Sequence, residues 1–443
     1  MNSSTNKGSS PTPILVFTAI VVLSVVFFFL FSLGSFGEKP ESAAAPPATT
    51  TSAAKTPTTI SLQPSAGQTA LQSPAVKDHS GLFTTIHALQ QEISARVTAA
   101  DLPALAKLTG EKPKAALLHR LVSESGWTVA PEAWFDAGSI TGVARRGLRL
   151  EMPGGKPAQP LMVDIDRTKT EGYKVISLRF SPALTLQIGS TDGVSADMPD
   201  PLDQAHRFFD SVLGHDFKTA RSLTLPKKVT HEKLAGLCIV FEEGEYTVPA
   251  SSPVKITAAS ADSAWAFVKV RSEKQKLENE VGLELERSAD GIWRIHTLNF
   301  SEMLEAYVRA TGTGGVFYSP IIKSAKGGES IVLYFDFDKA ELVSRALLQL
   351  NIIAGLLKSD PARKMKITGH SDAVGSDDYN VRLSAERARN VHARLIELGV
   401  ATAQIETTGL GSTTPLDANR RQDGTDNPEG RSRNRRTEIY LDF

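Results

Sequence analysis

"TGHSDAVGSDDYNVRLSAERARNV", Thr368–Val391, decides how the last quarter of the chain is read. Upstream, "KMKITGHSD" alternates apolar and polar residues, as a strand with one buried face does. Downstream, "SDDYNVRLSAERARNVHARLIELG" has helical spacing, with Ser376 as N-cap and Gly399 as stop. Ala388, Val391, Leu395 and Leu398 form the stripe expected to be buried, with Arg387 at its edge and Asn380 and Ser384 on the same flank. His370, Ser371 and Asp372 stand side by side, the residue types of a hydrolase triad. A triad needs its imidazole between hydroxyl and carboxylate. Neighbours at a strand end alternate, so His370 and Asp372 are expected on one face and Ser371 on the other. No G-x-S-x-G elbow is present. The nine histidines are scattered and the one cysteine, Cys238, stands alone, so no metal-ligand spacing is found.

Around this stretch strands and helices alternate. "SIVLYFDFD" reads as a strand, "KAELVSRALLQLNIIAGLLKSDP" as a helix ended at Asp360-Pro361, and "QIETTGLG" and "RRTEIYLDF" as further strands. Together they predict a compact α/β sandwich. Asp336 and Asp338 are read as caps of the strand-to-helix turn, with cation binding as the other reading. Asp372, on a loop, and Arg387, in the next helix, are the pair best suited to a zwitterion. A carboxylate takes an ammonium, and a guanidinium takes a carboxylate in bidentate fashion. The alternative is a salt bridge fixing loop to helix.

"SIVLYFDFDKAEL", "ITGHSDAVGSDDYNVRLSAERARNVHARLIELGV", "GLGSTTPL" and "GRSRNRRTEIYL" occur in order and closely resemble OmpA-like peptidoglycan-binding domains, which also occur in peptidoglycan-associated lipoproteins and MotB-type stators. The resemblance implies that Asp372 binds the ammonium, and Arg387 the carboxylate, of diaminopimelate in a peptidoglycan stem peptide. It implies that Asn380 and Leu383 line the same pocket. Ser371 is counted with them, and Thr368, Ser384, Asn434 and Arg435 stand in a second rank, with Arg436 beside them. The family is not enzymatic and implies no cofactor.

Residues 13–36, "PILVFTAIVVLSVVFFFLFSLGSF", carry no charge. About 20 apolar residues cross a bilayer as a helix. The run exceeds the apolar core of a cleaved signal peptide, and no cysteine follows it to carry a lipid. It predicts an uncleaved single-pass anchor, with residues 1–12 cytoplasmic and the bulk exported; cleavage near "ESAAAPPA" is the alternative. It also has no ionisable group for a proton path. Residues 37–80 are rich in Pro, Ala, Thr and Ser and predict a flexible linker reaching roughly 35 Å.

Between the linker and the C-terminal domain an internal repeat is read. "VDIDRTKTEGYKVISLRFS" (163–181) aligns without gaps on "LELERSADGIWRIHTLNFS" (283–301). Each hairpin closes a unit begun by an amphipathic helix that breaks at an acidic residue, Asp101 or Asp216. The expectation is two tandem α+β cone-like modules, 81–185 and 200–308, similar in element order to nuclear-transport-factor-two-like (SnoaL-like) domains. Residues 309–329 read as a Gly/Ser-rich joint, and 330–443 as the OmpA-like domain.

Lys+Arg and Asp+Glu are 49 each, so no global nucleic-acid footprint exists. The sequence therefore predicts a non-catalytic protein of a bacterial inner membrane. Its bulk stands in the periplasm, held to the bilayer through residues 13–36 and to peptidoglycan at the other end, with protein partners open to the middle modules. The alternative is the wall-anchoring part of a secretion or motor-type complex.

Overall fold

Polar residues start the helices of the N-terminal half, in a computed structural model that describes residues 83–168, 172–249, 254–312, 318–323 and 328–441. The expected membrane span and the linker, residues 13–36 and 37–80, lie outside these residues. Among the described residues no helix is long and apolar enough to cross a membrane. Thr85 caps α1 (Ile86–Thr98), which buries Leu89, Ile93 and Val97. Asp101 accepts from Ala104 N at 3.2 Å and starts α2 (Leu102–Thr109), followed by α3 (Lys112–Ser123). Strands β1 (Thr128–Ile140), β2 (Val143–Met152), β3 (Lys156–Pro157), β4 (Leu161–Arg167) and β5 (Tyr173–Arg179) follow, then α4 (Pro182–Ile188).

The second module begins with α5 (Pro201–Leu213), whose Asp200 and Asp203 form a reciprocal capping box. Asp216 caps α6 (Phe217–Ser222), and α7 (His231–Gly244) is buried almost all round. Its Cys238 is 1% exposed, and burial pushes the thiol up to about 12, so it packs as a small hydrophobe. Then come β6 (Tyr246–Thr247), β7 (Lys255–Ala259), β8 (Ser263–Ser272), β9 (Leu277–Arg287), β10 (Trp293–Asn299) and α8 (Ser301–Thr311).

One sheet runs through both modules in the order β10-β9-β8-β7-β1-β2-β4-β5. The modules meet where β1 and β7 pair in parallel, Ser139 opposite Lys255 and Ile140 opposite Ile256. The two aligned hairpins have the same register. Val163 faces Leu178 and Ile165 faces Val175, while Leu283 faces Leu298 and Leu285 faces Ile295. Each skips one residue on its second strand, Ile176 in one and His296 in the other. A bulge at the aligned position bends both hairpins alike.

The C-terminal domain contains β11 (Ile321–Lys323), β12 (Glu329–Tyr334), α9 (Ser344–Ser359), β13 (Met365–Gly369), α10 (Asp377–Glu397), β14 (Ile405–Gly409), α11 (Pro428–Asn434) and β15 (Arg436–Tyr440). Its sheet has the order β11-β12-β15-β13-β14, with only β13 and β14 parallel among the described pairs. Three expectations change. The joint supplies a strand, β11. Helix α9 starts at Ser344 instead of Lys339, with no side-chain cap, so neither Asp336 nor Asp338 caps it. Residues Lys339 and Ala340 instead turn their carbonyls toward Arg387 and Asn390. Part of the arginine-rich loop is the short helix α11, entered through Asn427 and Pro428.

This domain shares its core with the second module. Phe217 of α6 lies so close to Gly355 of α9 that a Cβ there would sit 2.5 Å from the ring. Ile321 packs on Gly236 of α7 in the same manner. Arg345 donates to Glu243 at 2.7 Å, and Glu232 accepts from the backbone of Leu441.

Candidate functional site

Helix α10 has one buried face with two characters. Its C-terminal part buries Ala388, Val391 and Leu395, and its N-terminal part buries Asn380, Ser384 and Arg387. Ser376 caps the helix by accepting from Tyr379 N at 3.3 Å. The helix lies hard against the ends of β13 and β14. A Cβ on Gly369 would meet the Ser384 carbonyl at 1.9 Å, and one on Gly409 would meet Ala385 N at 2.5 Å. The glycines of "TGHSD" and "TGLG" are thus demanded by approach of the helix, which brings its polar end over the loop after β13.

A 370 Å³ cavity opens there, lined among others by Ser371, Asp372, Asn380, Leu383, Arg387 and Arg435. Asp372 is 4% exposed and accepts from Arg435 Nη1 at 3.0 Å, with Arg431 4.0 Å away. Val374 N donates to its other oxygen at 3.1 Å. Arg387 is fully buried, a correction to its expected place at the edge of the stripe. It makes no salt bridge with Asp372. Its Nε donates to Lys339 O at 2.8 Å, Nη1 to His370 O at 3.0 Å and Nη2 to Asp336 O at 3.2 Å. Burial, then the neighbouring Arg435, lowers its pKa to about 10. Phe335 lies beneath the guanidinium, 5.2 Å from ring centre to Cζ.

Two polar atoms here are buried without partners: Asn380 Nδ2 and Ser371 Oγ. Ser371 therefore shares the cavity with Asp372, against the expected alternation. The reason is that β13 ends at Gly369, so residues 370–372 are loop. His370 is the residue that turns elsewhere, its Nδ1 2.9 Å from Thr414 Oγ1.

The second-rank residues divide. Arg435 is in the cavity as the partner of Asp372. Thr368 lies within β13, between Thr408 and Glu438 of the adjoining strands. Ser384 ties the loop at Gly411 to the helix, accepting from Gly411 N at 2.9 Å. Asn434 is buried and staples residues 416–419, accepting from Leu416 N at 2.7 Å and donating to Asp417 O at 2.8 Å. Arg436 pairs with Glu438 at 2.6 Å on the far side. Sequence reading missed Phe337 and Tyr379, which also line the cavity. Tyr379 donates to Asp338, a residue at φ +56°. The exposed aromatic in "YFDFD" was the available signal. Among the described residues no cluster suited to a metal is found.

Residues 334–434 match the OmpA family. The C-terminal domain is OmpA-like. Over 138 residues the chain is 36% identical to the photosystem I P700 chlorophyll a apoprotein A2 of Gloeobacter violaceus, covering 30% of this chain and 16% of that protein. Over 120 residues it is 38% identical to the peptidoglycan-binding protein ArfA of Mycobacterium tuberculosis, covering 27% of this chain and 34% of that protein. Among solved structures, the peptidoglycan-associated lipoprotein of Burkholderia pseudomallei is similar at 32% identity with a TM-score of 0.23, covering 25% of this chain and 89% of that one. The chain spans about a third or less of these two curated relatives.

Proposed function

We propose that the OmpA-like domain binds peptidoglycan non-covalently, taking the zwitterionic end of a diaminopimelate stem peptide into the 370 Å³ cavity. The observation that carries this reading is the pair of partnerless atoms, Asn380 Nδ2 and Ser371 Oγ, in a cavity walled by a carboxylate and two guanidiniums. A buried polar atom without a partner costs free energy. A ligand that supplies an acceptor to one and a donor or acceptor to the other recovers it. Asp372 takes the ammonium, displacing Arg435. Arg387, whose guanidinium is held by carbonyls and in salt-bridge contact with no carboxylate, takes the ligand carboxylate together with the released Arg435. The role is to grip, with no covalent step. The apolar run 13–36 acts as an inner-membrane anchor and residues 37–80 as tether, so the chain links bilayer to wall.

Because the domain shares its core with the second module, the test uses residues 78–443 rather than the C-terminal domain alone. Wild type and Asp372→Asn are spun with insoluble diaminopimelate-containing peptidoglycan. Wild type is expected in the pellet and Asp372→Asn in the supernatant, with the same circular dichroism. Equal pelleting of both removes the cavity from the reading. Equal pelleting of wild type on walls carrying lysine in place of diaminopimelate keeps wall binding but removes the diaminopimelate specificity.

A further inference from the structure

A second cavity, 640 Å³, lies between the two middle modules, apart from the OmpA-like domain. Its apolar wall includes Phe135, Met162, Pro160 and Pro199, and its polar wall is one flank of α5. Gln204 on that flank is 3% exposed, and its Oε1 has no hydrogen-bond partner. His206 is engaged, its Nε2 2.8 Å from Ala137 O.

The charges around this cavity are unequal. Arg145 pairs with Asp164, Asp200 and Asp203 at 2.6, 2.7 and 2.9 Å. Arg179 shares Asp200 and Asp203 at 3.3 and 2.9 Å. Three carboxylates thus stand on two guanidiniums, leaving one negative charge over. By count, the rest of the lining does not cancel it: Asp197 is matched by Lys114 at 3.1 Å, and α5 adds one positive and one negative side chain, Arg207 and Asp210. Asp203 carries the mark of this excess, its carboxyl raised above the ordinary range by burial and by Asp200. Asp210 is likewise raised by burial. The cavity thus sets an orphan amide oxygen and a carboxylate cluster with one negative charge over against an apolar wall.

We propose that this inter-module cavity is a binding site for a small organic ammonium with an apolar body, its N–H groups given to Gln204 Oε1 and the Asp203 side of the cavity. The apolar body replaces water against Phe135 and Met162, and the cation completes the charge balance. Such a ligand touches both modules and ties them together. This inference does not depend on wall binding.

The probe is n-hexylammonium, titrated calorimetrically into the full chain in a non-ionic detergent, with hexanol and hexanoate as comparisons. Saturable binding of hexylammonium is expected, at least tenfold tighter than either comparison. Gln204→Leu is expected to weaken it about tenfold, as loss of a hydrogen bond to a charged group does. Met162→Trp, which fills the cavity from its apolar side, is expected to abolish it while leaving wall pelleting unchanged. The proposal is overturned if hexanol binds as tightly as hexylammonium, or if Gln204→Leu and Met162→Trp bind as wild type does. Absence of saturable hexylammonium binding overturns it too.

Discussion

Arg145 and Arg387 are both buried, 2% and 0% exposed, yet their surroundings are opposite. Arg145 is held by three carboxylates from two modules. Burial opposes its charge, but the hydrogen bonds to Asp164 and Asp200 keep its pKa above the ordinary arginine value. Arg387 is held by three backbone carbonyls, and burial with Arg435 nearby brings it down to about 10. Carboxylates fix a guanidinium and cancel its charge. Carbonyls fix its position and leave most of the charge to be felt by whatever enters beside it. The first arrangement ties two parts of the chain together, and the second, on the function proposed above, keeps a cation poised for an anion.

The largest effect expected from this contrast is at Arg145. Arg145→Ala leaves Asp200 and Asp203 with Arg179 alone and takes from Asp164 its guanidinium partner. Removing one partner of a buried ion cluster costs about 3–5 kcal/mol. Thermal or urea unfolding should begin well below that of wild type, and the protein that is still folded under the assay conditions should pellet with the wall as wild type does. A stability loss under about 1 kcal/mol would mean that the cluster is solvated and weak. Next comes Arg387→Lys, which keeps the charge but cannot reach three carbonyls from one ammonium. It should lose about 2 kcal/mol, on the scale of one or two hydrogen bonds to a charged group, and lose most wall retention. Full retention would show that Arg387 acts as a point charge, without need of its planar fork.

Much of this was legible in the chain. The period change at Thr368–Val391 located β13 and α10, and Ser376 and Gly399 bounded the helix to within two residues. In the hairpins at 163–181 and 283–301 the strand registers coincide down to the bulge. What escaped depended on long-range geometry. Spacing put Arg387 on the right flank of α10, but not under the loop carbonyls of Asp336, Lys339 and His370. Alternation misplaced Ser371 because nothing local says that β13 stops at Gly369. Arg435 stands 63 residues from Asp372 in sequence, so no pattern within either motif joins them. The inter-module cavity joins residues from Phe135 to Asp210 that no local pattern connects, and the β1–β7 pairing beside it rests on two residue pairs.

The smallest change in stability, and the sharpest separation of gripping from scaffolding, is expected at Asn380. Ser384 and Arg387 share its face of α10 but already hold the fold through hydrogen bonds, so their replacement damages fold and site together. Asn380 spends its Nδ2 on nothing within the protein. Asn380→Leu therefore removes an unsatisfied buried donor, and stability should stay level or rise by up to about 1 kcal/mol. Wall retention should fall about tenfold, because the ligand loses a donor that the fold had left open for it. Opposite signs in unfolding and pelleting would identify a group kept for the ligand. A fall in both would make Asn380 part of the scaffold and leave Asp372, Arg387 and Arg435 to recognise the zwitterion by charge alone.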